Sequence, residues 1–107
     1  MPNKKLSTTH EVNHALMTEL EFKAVARRNK LLGYWLGDMM GLDEAAAEDY
    51  AIQVVYSDLE EPGDEDVIRK VMADIGENNL DVSEENIRQE LDHLIRVARG
   101  QIEDESQ

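Results

Sequence analysis

Two short stretches carry residue types whose spacing could do chemistry. The first is HEVNH, His10 to His14, which fits H-E-x-x-H, a helix turn with two zinc-ligating imidazoles and a Glu as general base. A zinc enzyme also needs a third protein ligand and an open coordination position. Glu19 and Glu21 are too near on the same segment to fold back, Glu44 and Glu48 open a helix with no matching second motif, and His93 lies far along the chain. The second stretch, DLEEPGDEDVIR, Asp58 to Arg69, imitates a calcium loop with Gly63 at its sixth position. Pro62 stands at the fifth position and Arg69 at the twelfth, where calcium requires a bidentate Glu. It is expected to be a charged helix-connecting turn, and no metal site is expected in either stretch. No glycine-rich phosphate loop leads into a basic residue, cysteine is absent, and Ser7, Ser57, Ser83 and Ser106 have no motif pairing them with a base. The chain is expected to be neither an enzyme nor a cofactor protein.

The 107 residues suffice for one domain with a modest core. No apolar run is long enough to span a bilayer, and the N-terminus lacks the apolar middle of a secretory signal, so a cytoplasmic protein without membrane insertion is expected. The absence of cysteine leaves the core alone to hold the fold. A net charge of −13 argues against nucleic acid as a partner. Residues 1–40 carry six basic and four acidic side chains, the remainder five and twenty, so a mildly basic first segment precedes a strongly acidic body.

Aromatic residues at 5% and abundant Ala, Leu, Glu and Arg point to an all-α fold, and four helices are expected. The last, from about Glu84 to Ile102, carries Ile87, Leu91, Leu94, Ile95, Ala98 and Ile102 as one apolar stripe, with Ser83 as its N-cap and Val82 stapling onto Ile87. Val67, Ile68, Val71, Met72 and Ile75 mark a helix that starts after Pro62-Gly63 and stops at Gly76, taken as its left-handed cap. Asp43 caps a helix bearing Ala47, Tyr50, Ala51, Val54, Val55 and Leu59. The first helix is the longest, with Gly33 and Gly37 as its breakers. Leu20, Ala24, Leu31, Trp35 and Met39 form one stripe on it, and Phe22, Val25, Leu32 and Leu36 a second. Residues before about Glu19 offer little to bury, so that end is expected to fray.

Beyond these patterns, ELEFKAVARRNKLLGYWLGDMMGL, Glu19 to Leu42, and EEPGDEDVIRKVMADI, Glu60 to Ile75, resemble the zeta-subunit family of alphaproteobacterial F-type ATP synthases, small inhibitors of the ATPase head. The strings that carry the resemblance are Phe22-Lys23-Ala24, ARRNKLLG from Ala26 to Gly33, and Gly63-Asp64-Glu65-Asp66-Val67 followed by Arg69-Lys70-Val71. ARRNKLLG is taken as a family signature because helix packing alone does not call for that string.

The resemblance implies a small four-helix bundle, residues 19–104, preceded by a mobile N-terminal arm, residues 1–18, and followed by a short disordered tail at 105–107. It implies a regulatory inhibitor of ATP hydrolysis, monomeric when free, whose arm folds into a catalytic interface of the ATPase head and blocks rotation in the hydrolytic direction. Helix-in-groove recognition of this kind anchors an amphipathic segment through its apolar side chains. The expected contacts are Leu16, Met17, Leu20 and Phe22, with Lys4, Lys5 and Lys23 meeting acidic surfaces and His14 where an aromatic anchor is expected. His14 and the Leu16-Met17 pair depart from the family pattern, which leaves open a helical adaptor that binds a partner without strong inhibition.

Overall fold

The structure, a computed structural model, describes residues 2–58 and 63–106, and the side chains of 19–58 and 63–106. Four helices follow one another: α1 (Pro2–Met39), α2 (Glu44–Ser57), α3 (Glu65–Glu77) and α4 (Glu84–Glu105), with no strand among the described residues. None of these helices is long and apolar enough to cross a membrane. α1 is helical well ahead of the boundary expected near Glu19, and α4 continues past the end expected near Ile102.

The caps obey local chemistry. Asp43 accepts the Ala46 amide proton at 2.9 Å, and Ser83 and Asn86 form a reciprocal capping box at 3.1 and 3.0 Å. α1 ends in a Schellman motif: Gly41 takes φ +74°, the Leu42 amide donates to the Gly37 carbonyl at 3.0 Å, and that of Gly41 to Asp38 at 3.1 Å. α3 ends in the same way, but on a different residue from the one expected. Gly76 stays inside the helix; Asn79 takes the left-handed turn at φ 54°, and the Leu80 amide reaches the Ile75 carbonyl at 3.0 Å. Asparagine tolerates that conformation nearly as well as glycine, and Leu80 then packs back on the core beside Ile75.

α1 is the central element, with α2 on one side and α4 on the other, while α3 closes the bundle against both. The core joins Leu32 and Leu36 of α1, Tyr50 and Val54 of α2, four residues of α3 (Val67, Ile68, Val71, Ile75), and Ile87 and Leu91 of α4. On α1 the buried line is not either of the two expected stripes. It runs between them, through Ala24, Arg28, Leu32 and Leu36 and through the parallel row Asn29, Gly33, Gly37. Leu31 and Trp35 are half-buried, and Met39 and Phe22 are exposed. Counting only apolar residues missed this line, because small and polar side chains occupy its tightest points.

Gly33 and Gly37 are contacts rather than breakers. A Cβ on Gly33 would stand 2.5 Å from the Ala51 Cα, and one on Gly37 would stand 3.3 Å from the Ala47 Cβ. Two small residues four apart on each of two antiparallel helices let the backbones approach closely.

Candidate partner-binding surface

The string ARRN owes part of its composition to packing. The Arg28 guanidinium is buried and forks: Nε and Nη2 donate to the Asn29 Oδ1 at 3.0 and 2.9 Å, and Nη2 also to Asp64 Oδ1 at 2.9 Å. Asn29 passes the connection on, its Nδ2 donating to Asp58 Oδ2 at 2.9 Å. One polar node thus ties α1 to the C-cap of α2 and to the N-cap of α3. Asp64 makes no side-chain cap bond of its own, and its carboxylate accepts from Arg28 instead. Burial pushes the Asp58 carboxyl above the ordinary aspartate range. The Asn29 hydrogen bond and the Arg28 charge work against that shift, and the nearby Asp64 and Asp66 add to it. The packing requirement on Arg28, Asn29 and Gly33 corrects the expectation that no such requirement shapes this string.

Toward its N-terminal side, α1 is clasped by α4. Arg99 holds Glu21 through both oxygens at 2.6 and 3.2 Å, and Arg27 holds Glu105 at 2.7 and 2.9 Å and Gln101 at 2.8 Å. The Arg99 hydrogen bond keeps the Glu21 carboxyl below its usual range, and Arg27 does the same for Glu105. The Glu21–Arg99 pair borders an open apolar groove of about 620 Å³ that Leu20, Ala24 and Ile102 line.

A second groove, about 580 Å³, opens between α1 and α2, with Ile102 and Glu105 of α4 also lining it. Phe22, Ile52 and Tyr56 stand out of it at 66%, 42% and 64% exposure, over a floor that includes Ala26 and Val55. Lys23, Arg27 and Lys30 border it.

Of the side chains expected to contact a partner, Lys4, Lys5, His14, Leu16 and Met17 lie outside the described residues. Leu20, Phe22 and Lys23 are described, and α1 divides them. Leu20 is half-buried in the α4 groove, whereas Phe22 and Lys23 belong to the α2 groove. Lys23 pairs with Glu19 at 3.7 Å. Sequence reasoning missed Ile52, Tyr56 and Lys30. The i, i+4 spacing of Ile52 and Tyr56, off the buried stripe of α2, was the available signal.

No group of three or more His, Asp or Glu among the described residues is arranged to hold a metal ion. His93 is exposed, and in the acidic turn Asp58 and Asp64 are engaged by Arg28 and Asp66 by Arg69 at 2.9 Å.

The model of the family ATPase inhibitor subunit zeta matches residues 4–101. A solution NMR structure of a 42% identical protein superposes with a TM-score of 0.70, covering 80% of this chain and 98% of that one. No curated protein matches the chain.

Proposed function

Because the chain belongs to the ATPase inhibitor subunit zeta family, we propose that it is a regulatory, non-catalytic inhibitor of ATP hydrolysis by the F-type ATP synthase. The observation that carries this is the family match across residues 4–101, from the proposed arm to the last helix. In this proposal residues 1–18 form a mobile arm that orders on entering a catalytic interface of the ATPase head. Leu16, Met17, Leu20 and Phe22 supply apolar anchors, Lys4, Lys5 and Lys23 meet acidic surface, and His14 occupies the place of an aromatic anchor. Ordering an arm costs conformational entropy, so the anchors must bury enough apolar surface to exceed it. A wedge seated there opposes rotation in the hydrolytic direction. The protein is cytoplasmic, peripheral to the inner membrane when bound, and monomeric when free.

The exposed Phe22, Ile52 and Tyr56 give a second reading some support: a helical adaptor that binds through its body without strong inhibition. ATP hydrolysis by the isolated ATPase head separates the two. The full chain is expected to inhibit, and a chain lacking residues 1–18 to lose inhibition. Unchanged hydrolysis with the full chain would sink the inhibitor function, and equal inhibition by the truncated chain would sink the arm.

A further inference from the structure

We propose that the face built from Phe22, Ile52 and Tyr56 is a docking surface for an acidic region of the ATPase head that presents an apolar side chain. This rests on the inhibitor function above and extends contact from the arm to the four-helix body.

Six large apolar residues are exposed among the described side chains, and three of them converge on this one groove. Its side chains suit an anchor: two aromatic rings and a branched aliphatic chain over a floor of Ala26 and Val55. Its border identifies the partner's charge. In a protein of net charge −13, three of the described cations gather here, Lys23, Arg27 and Lys30. Arg27 is neutralised by Glu105, the acidic residue on the rim, and Lys23 makes a 3.7 Å pair with Glu19. Lys30 is the single Lys or Arg among the described residues with no ion pair to another described residue; its Nζ lies 5.9 Å from the Tyr34 ring centre. A positive, apolar face complements an acidic partner surface, while the charge of −13 on each copy opposes its pairing with a second copy. Phe22 also continues along the helix from the proposed arm, so one bound orientation engages both.

The test uses full-length protein and isolated ATPase head, with affinity from titration and hydrolysis measured in parallel. Tyr56→Ser and Lys30→Glu are each expected to raise Kd about tenfold, with inhibition restored at saturating protein. Arg96→Glu, the same charge change on the exposed side of α4, is expected to have little effect. Exposure of Tyr56 and Lys30 predicts unaltered circular dichroism for both variants, and Lys30→Glu serves if Tyr56→Ser unfolds. If the natural sequence binds and inhibits while Lys30→Glu weakens binding no more than Arg96→Glu, this face is refuted and the inhibitor function stands. If the natural sequence does not bind the head, both fall. Concentration-dependent dimers in sedimentation that Tyr56→Ser and Lys30→Glu abolish would assign the face to a second copy and overturn the proposal.

Discussion

Asp58 sits between opposed forces. Burial disfavours its charge, and this outweighs the Asn29 hydrogen bond and the Arg28 guanidinium that favour it. Its proton is therefore held more tightly in the folded than in the unfolded chain, where the ordinary value is 3.8. The contribution to stability has the sign of a raised acid: a cost absent below the unfolded value, growing as pH rises through the folded one and complete above it. Asp58→Asn keeps an oxygen to accept from Asn29 but cannot ionise. The variant is expected to match or exceed the natural protein in urea midpoint near pH 7, with the gap closing as pH falls toward about 4. A gap that widens on acidification would show that the partners outweigh burial. The histidines illustrate the converse limit of residue-level inference. HEVNH has the composition of a ligand pair, but a metal site is defined by donors brought together from distant parts of the chain.

At the level of helices, the α1–α2 contact turns on glycine. Gly33 is expected to be intolerant of a methyl group despite its helical setting: Gly33→Ala gains helix propensity of about 1 kcal/mol but drives a Cβ into the Ala51 backbone. Overpacking of that kind costs about 1–3 kcal/mol, so the propensity gain is cancelled or exceeded and a net loss of up to about 2 kcal/mol in urea denaturation is expected. Gly76→Ala is the control. Its added Cβ meets nothing within 4 Å and its φ is not positive, so a gain of about 0.5–1 kcal/mol is expected. Equal responses at the two sites would contradict the close approach at Gly33. The α3 end follows the same physics: the left-handed residue is set by where Leu80 must return to the core, not by the nearest glycine.

Across the whole molecule, a charge of −13 on 107 residues sets self-repulsion against local ion pairs. The exposed pairs, among them Glu21–Arg99 and Arg27–Glu105, contribute modestly in water, whereas the excess negative charge acts throughout the body. Raising ionic strength from about 0.01 to about 0.2 M is therefore expected to raise Tm, because screening relieves more repulsion than attraction. A fall in Tm would mean that the ion-pair clasps dominate. The sequence alone determined what depends on neighbours along the chain: four helices, the Asp43 and Ser83 caps, the apolar rows of α3 and α4, and the strings that carry the family. Periodicity and capping act over one or two turns, so they are legible locally. Only the tertiary structure decided which side of α1 is buried, that Gly33 and Gly37 are contacts, that Arg28 and Asn29 are joined to Asp58 and Asp64, and that Phe22 shares a face with Ile52 and Tyr56. Each of these depends on a second helix arriving at a set distance and angle, and no residue carries that information by itself.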